Sequence, residues 1–397
     1  MNDPMNPPVF LNQLGLVCAM GRGKQEVTTA LFGDAPAGVA PSDDFAAKTL
    51  HVGLVTSPLA ETGVLPAPLR SRNNALLLTA LAEIRPAVDA AIARYGRERV
   101  AIVLGTSTSG IGESETAIAR YLATGQMPPE FHVRQQELGS PALALNHVLG
   151  VTGPSFVIST ACSSSAKALA SAARLLRAGM ADAVVTGGAD ALCRFTVAGF
   201  SALDSVSEAR CNPMSVNRRG INIGEGAALF VMTREPGPVR LAGWGESSDA
   251  HHISAPEPGG RGALAAMRAA LERAGLAPSE LDYVNLHGTA TPQNDAMESH
   301  AVHALLGGGI PASSTKPLTG HTLGAAGAIE AAICWLTLTG NPQGRLPAHW
   351  WDGEADPSLP ALSLVRRGYT LGRPLRYVLS NSFAFGGSNA VLILGSA

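Results

Sequence analysis

The sequence predicts an α/β protein made of two similar halves, each layering sheet against helix. Strand-like runs ending in small polar residues recur at 100–105 (VAIVLG), 155–160 (SFVIST) and 183–188 (AVVTGG). Ala/Leu-rich stretches of helical pattern, such as 76–95 and 261–274, lie between such runs. Alternation of this kind marks α/β layers. The second half also repeats the first in order. AIVLGTSTS near Thr106 resembles YVNLHGTAT near Thr289, and FVISTACSSSAKALASAARLL resembles IPASSTKPLTGHTLGAAGAIEAAICWL. AVVTGG then resembles YVLSNSFAFGG, and GAALFVM resembles NAVLILG. Ala/Gly-rich chains produce single echoes by composition; it is the shared order that argues for a duplication. The halves are expected at 1–245 and 246–397, packed across a pseudo-twofold axis so that the turns at Cys162 and His321 face one site.

Composition bounds the function classes. The 397 residues are 46% hydrophobic and 15% charged, with a formal net charge of −2. This is a core-forming composition without the field that draws nucleic acid or an anionic membrane surface. The N-terminal stretch through Met20 has no basic leader, and Asn12 and Gln13 interrupt its apolar run, so it reads as a buried first strand rather than a signal peptide. No apolar run reaches the roughly 20 residues of a membrane span. Cys18, Cys162, Cys193, Cys211 and Cys334 are odd in number and widely spaced, without a C-x-x-C pair. Neither a disulfide framework nor a zinc site is expected, and a reducing cytoplasm fits. The Pro/Gly-rich segment 341–360 reads as a surface loop before the last strands.

Cys162 stands in Thr160-Ala161-Cys162-Ser163-Ser164-Ser165, between an apolar strand and an Ala/Leu helix ending near Gly179. A cysteine at a helix N-terminus meets unpaired N–H groups and the positive end of the dipole, which favour the thiolate. A modest depression from a free thiol's roughly 8.5 would make a nucleophile near neutral pH. The alternative is a small buried core cysteine, the reading given to the other four.

Two histidines occupy matching places. His287 opens HGTAT after the strand DYVNL, where open α/β sheets put their sites, and His321 lies in GHTLGAAG at the entrance to a helix of small residues. Singly, each would be an ordinary core or surface histidine. Two on matched loops with a cysteine on a third suggest shared chemistry. Lys316 and Glu330 flank the second motif, either to orient the ring or as a simple ion pair. His251 and His252 lack a ligand set at zinc spacing, so no metal is expected. In Asn381–Asn389 (NSFAFGGSN), Gly386 and Gly387 permit close approach or hinge motion beside Phe385, either as a gate or as a tight turn with an aromatic plug. The loop 105–112 lacks the G-K-[ST] ending of a phosphate loop, and no nucleotide cofactor is expected.

With these residues in view, nearly the whole chain resembles the β-ketoacyl-ACP synthase I/II family of thiolase-like condensing enzymes. The shared motifs are TACSSS, MSVNRRGINIGEGAA, SSDAHHISAP, HGTATPQND, SSTKPLTGHTLGAAGAIE and NSFAFGGSN. The resemblance implies a five-layered αβαβα fold, a dimer, and decarboxylative condensation of an acyl thioester with malonyl-ACP. It implies Cys162 as acyl acceptor, His287 and His321 as enolate stabilisers, and Lys316 and Glu330 as their support. It places Thr289 and Thr291 against the phosphopantetheine arm of acyl carrier protein. The N–H groups of Cys162 and Phe385 become an oxyanion hole, Phe385 with Gly386 and Gly387 a gate, and Ile111 and Phe200 tunnel residues. No metal or organic cofactor is implied, because the substrates ride on the carrier protein.

His321 distinguishes this branch from relatives that carry Asn there, and the NSFAFGG loop lacks a thiolase's second cysteine. Two segments depart from the family. NPMSVNRRG (212–220) lacks both acids of P-[FW]-D-x-x-R-D-G, and PAHWWD (347–352) replaces P-P-T-x-N. Both resemble ketosynthases of specialised pathways, of aryl polyene or type II polyketide kind, in which a homodimer gives way to a heterodimer with a chain-length-factor-like subunit. The competing readings are a non-catalytic chain-length-factor-like partner, against which Cys162 speaks, and a thiolase or acyl-CoA-dependent condensing enzyme, against which His321 speaks.

Overall fold

The computed structural model describes residues 7–397. Two strand sets repeat one pairing scheme. In the first, Ser155–Ile158, Val100–Gly105 and Ala183–Asp190 run parallel, followed antiparallel by Gly226–Thr233 and then Phe10–Cys18. In the second, Pro311–Ser313, Tyr283–Asn285 and Tyr377–Ala384 run parallel, followed antiparallel by Ser388–Ser396 and then Val239–Ser248. The four sequence echoes fall on corresponding strands and the helices after them. Phe10 and Leu11 pair with Arg240 and Val239, joining the sets into one 12-stranded sheet. Residue 245 lies inside the strand Val239–Ser248, and the second pairing scheme begins at Val239.

Helices complete five layers. Ser164–Arg177 and Ala326–Leu338 form the middle layer and pack against strands of both sets. Every residue of Ala326–Leu338 is buried, which accounts for its lack of a polar stripe. Gly327 allows the two middle helices to touch, since a Cβ there would come within 2.8 Å of Ala166. Arg72–Tyr95 and Ser140–Leu149 cover the outer face of the first set, and Arg261–Ala274 and Pro292–Leu306 that of the second. Strands covered on both faces are buried throughout and largely apolar rather than alternating: Val100–Gly105, Ala183–Asp190 and Gly226–Thr233 are buried at every position.

The first strand forms at Phe10–Cys18 and is largely buried; the residues before Pro7 lie outside the described ones. The helix after Cys162 ends at Arg177, with Gly179 left-handed at φ 67° and its N–H bonded to the Leu176 carbonyl. The expected surface loop 341–360 differs in one respect. It has no helix or strand, yet Leu346, Ala348 and His349 are buried, because Leu346 joins the core and His349 bonds both the Ser314 N–H and the Val365 carbonyl.

Candidate active site

Three loops at the C-terminal ends of parallel strands converge. Each carries a non-glycine residue forced into the left-handed region: Ala161 (φ 51°) before Cys162, Ala290 (φ 63°) between Thr289 and Thr291, and Leu323 (φ 52°) after His321. Such backbone is costly and persists only where its surroundings over-determine it. Cys162 stands at the tip of its turn, just before the Ser164–Arg177 helix. His321 is pinned by its N–H to the Asn222 carbonyl, in the GINIGEG segment of the other half, at 2.6 Å.

Cys162 Sγ and His321 Nε2 are 3.0 Å apart, and the rings of His287 and His321 meet edge to face with centroids 5.3 Å apart. All three side chains are buried, and they line one cavity of about 260 Å³. Thr289, Thr291, Phe200 and Phe385 line it too. The Thr289 and Thr291 hydroxyls are 2.9 Å apart, and Phe385 stacks against Phe200 with ring centroids separated by 5.5 Å. Gly386 and Gly387, at φ 79° and 72°, form the turn that returns the chain after Phe385. Ile111, at the start of the helix Ile111–Thr124, is not among the residues lining this cavity.

Lys316 ties the second and third loops together. Its ammonium is 2.5 Å from Glu330 Oε1 and 3.4 Å from His287 Nδ1, and it also donates to the His287 carbonyl. An ammonium has donors only, so Nδ1 of His287 must accept and the ring proton sits on Nε2. Burial, reinforced by the Lys316 charge, holds both imidazoles well below the usual histidine range, so they are neutral at pH 7. Burial likewise raises the Glu330 carboxyl against the pull of Lys316.

The helix terminus does not depress the Cys162 thiol as its sequence context suggested. Burial pushes it up to about 11, outweighing the Lys316 charge and hydrogen bonds from the Phe385 and Cys162 backbone N–H groups. The resting site therefore pairs a thiol with a neutral imidazole. The Cys162 sulfur and one nitrogen of each ring lie within 4.8 Å of one another. The set has the dimensions of a cation site, but the Lys316 ammonium beside His287 disfavours a cation and favours developing negative charge.

Several supporting residues were not singled out in the sequence. The Glu298 carboxylate accepts the backbone N–H groups of His287 and Gly288, each at 2.7 Å, and the Asn381 amide at 3.0 Å; burial raises it to about 7. Asp190, buried at the end of its strand, accepts from the 106–108 loop and from the Gly324 N–H at 2.6 Å. His349 accepts the Ser314 N–H at 3.0 Å, and its Nε2 is 2.9 Å from the Pro213 carbonyl, linking the Lys316 loop to the 212–218 segment. An acid closing an apolar strand and an Asp295/Glu298 pair in the first turns of one helix were the available signals.

Among the described residues no helix is long and apolar enough to cross a membrane, and all five cysteines are free and buried.

Comparison with known proteins agrees with this architecture. The β-ketoacyl synthase N-terminal domain family matches residues 80–236, and the C-terminal domain family matches 239–343. The 3-oxoacyl-[acyl-carrier-protein] synthase 2 of Staphylococcus aureus is 32% identical over 318 residues, covering 75% of this chain and 77% of that protein. Its counterpart in Rhizobium meliloti is 37% identical over 279 residues, covering 65% and 64%. Among solved structures, the ketosynthase ApeO in complex with its chain length factor ApeC, from Xenorhabdus doucetiae, matches with a TM-score of 0.93 and 44% identity over 100% of both chains. The ishigamide ketosynthase/chain length factor matches at 0.88 with 27% identity, over 99% of this chain and 100% of that one. With the duplicated five-layered fold, the buried cysteine–histidine cluster and these relatives in agreement, the chain belongs to the β-ketoacyl-ACP synthase family of condensing acyltransferases.

Proposed function

We propose that this chain is the catalytic ketosynthase subunit of a specialised elongation pathway, of the aryl polyene or type II polyketide kind. The observation that carries the reading is the convergence of Cys162, His287 and His321 on one buried cavity. Cys162 attacks an acyl-ACP thioester while its proton passes through His321 to the departing carrier thiol. The Cys162 and Phe385 N–H groups receive the oxyanion, with Phe385 as the gate. Malonyl-ACP, its arm held by Thr289 and Thr291, then loses carbon dioxide. The Nε2–H of His287 and the imidazole of His321 stabilise the enolate, with Lys316 and Glu330 supporting the pair. The enolate carbon attacks the Cys162 thioester, the C–S bond breaks, and the released thiolate takes up a proton from water. No organic or metal cofactor enters this balance.

The specialised pathway and a chain-length-factor-like partner are supported by the 44% identity to a chain of a ketosynthase–chain length factor complex. The edge strand Ser155–Ile158 leaves one side unpaired, with Phe156 38% exposed, and the neighbouring helix Ser140–Leu149 exposes Leu143. An open apolar edge of this kind suits a second subunit. Ile111 and Phe200 are assigned to the acyl tunnel.

The test is incubation with acyl-ACP and mass spectrometry, then addition of malonyl-ACP. An acyl adduct on Cys162, discharged as a β-ketoacyl-ACP, is expected. Folded protein that takes no adduct, alone or with its co-purified partner, would sink the catalytic reading in favour of the non-catalytic subunit.

A further inference from the structure

Lys167 lies on the first turn of the helix that follows Cys162, half-buried, one turn behind the nucleophile. Its ammonium is 2.6 Å from the hydroxyl oxygen of Ser388, the first residue after the Phe385-Gly386-Gly387 turn. Ser388 Oγ is in turn 3.1 Å from Ser163 Oγ, and Ser163 Oγ is 2.8 Å from the Thr160 carbonyl. The direction of this chain follows from what each group can do. A lysine ammonium only donates and a carbonyl only accepts. Ser388 Oγ therefore accepts from both Lys167 and Ser163, and Ser163 also lies 2.8 Å from the Thr160 carbonyl. Ser388 is thus held between the Lys167 cation and Ser163, whose other contacts are the carbonyl and hydroxyl of Thr160, two residues before Cys162.

Its ends are the two loops that must keep register. Ser163 is covalently next to Cys162, and Ser388 closes the turn that carries Phe385. The backbone N–H groups of Cys162 and Phe385 both face the Cys162 sulfur. Only two backbone links in the left-handed region, Gly386 and Gly387, separate Phe385 from Ser388, so without a tether the second amide has freedom to swing.

We propose that Lys167 is a positioning residue that, through Ser388 and Ser163, holds the Phe385 amide in register with the Cys162 amide and keeps the Phe385 turn closed. This rests on the reading of Cys162 as acyl acceptor and of these two amides as its oxyanion hole. The bond from Lys167 to Ser388 is charge-assisted, which makes it the stronger of the two on Ser388. Opening of the turn then requires Ser388 to leave Lys167.

The experiment compares Lys167→Met, Ser388→Ala, Ser388→Thr and the Lys167→Met/Ser388→Ala double variant with wild type. Two rates at Cys162 are measured: acylation by acyl-ACP, which uses the oxyanion hole, and alkylation by iodoacetamide, which does not. Lys167→Met and Ser388→Ala are each expected to slow acylation by roughly tenfold to a hundredfold, with KM for acyl-ACP and alkylation unchanged within about twofold. The double variant is expected to be no slower than the worse single one, because both break one chain. Ser388→Thr, which keeps the hydroxyl, restores the rate. Acylation within twofold of wild type in both single variants, or acylation and alkylation slowed in parallel, overturns the tether. Failure of the underlying reading is distinguishable, since wild type itself would then take no acyl group on Cys162.

Discussion

Lys316 Nζ is 3.4 Å from His287 Nδ1 and 2.5 Å from Glu330 Oε1, so one buried ammonium fixes the tautomer of one histidine while neutralising a carboxylate. Lys316 is 1% exposed and Glu330 2%, and among the described residues Glu330 Oε2 has no hydrogen-bond partner. Removing the cation alone strands a buried carboxylate. Lys316→Met should therefore cost about 3–5 kcal/mol in urea unfolding, and Lys316→Met/Glu330→Leu clearly less. Both variants should lose condensation, because His287 loses the donor that sets its ring proton. Equal destabilisation of the single and double variants would contradict this account of the pair.

The two histidines should separate the half-reactions. His321 Nε2 is 3.0 Å from the sulfur, within hydrogen-bond reach, whereas the nearby nitrogen of His287 lies within 4.8 Å and makes no hydrogen bond to it among the described residues. His287→Ala is expected to keep acylation of Cys162 while lowering carbon dioxide release from malonyl-ACP by about 100-fold or more. His321→Ala should impair both steps. The readouts are acyl-enzyme mass and carbon dioxide evolution. Equal loss of acylation in the two variants would refute the division.

The pH dependence of the free thiol has a definite sign. Burial raises Cys162 to about 11, so its thiolate fraction keeps rising through pH 9 and 10 instead of levelling off above roughly 8.5. Iodoacetamide alkylation of Cys162, followed by mass spectrometry, should climb over that whole window. Because the folded state holds the proton more tightly than the unfolded one, this stabilising contribution is complete below about 9 and is lost as pH rises towards 11. A plateau in alkylation near pH 7 would mean a thiolate at rest.

The two departures from the family pattern meet in space. The Asp352 carboxylate, from PAHWWD, accepts Ser215 Oγ at 2.9 Å, Asn217 Nδ2 at 2.9 Å and Asn212 Nδ2 at 2.6 Å, all from NPMSVN. Against the upward push of partial burial, these bonds and the Glu354 amide hold it down to about 2. An acid missing from the 212–220 segment is thus supplied by the 347–352 segment. Asp352→Asn should cost about 1 kcal/mol, read as a fall in Tm, and Ser215→Asp added to Asp352→Asn should recover part of it. Additive losses in the double variant would exclude this exchange.

Much of the fold was legible because its strongest signals are local. Buried parallel strands must be apolar at every position, a helix wedged between two sheets must be built from small apolar residues, and a duplicated scheme leaves its echoes in order. The motifs around Cys162, His287 and His321 were legible for the same reason, since each needs its own strand end and turn.

The sequence by itself determined the α/β class, the repeat and the three motifs whose Cys162, His287 and His321 line one cavity. Only the tertiary structure decided how those groups behave. The Cys162 thiol is raised rather than lowered because burial, which no stretch of residues near it encodes, outweighs the helix terminus. Glu298, Asp190 and His349 matter through backbone groups brought to them by folding. Lys167 reaches Ser388 across 221 residues, a distance along the chain that only packing closes.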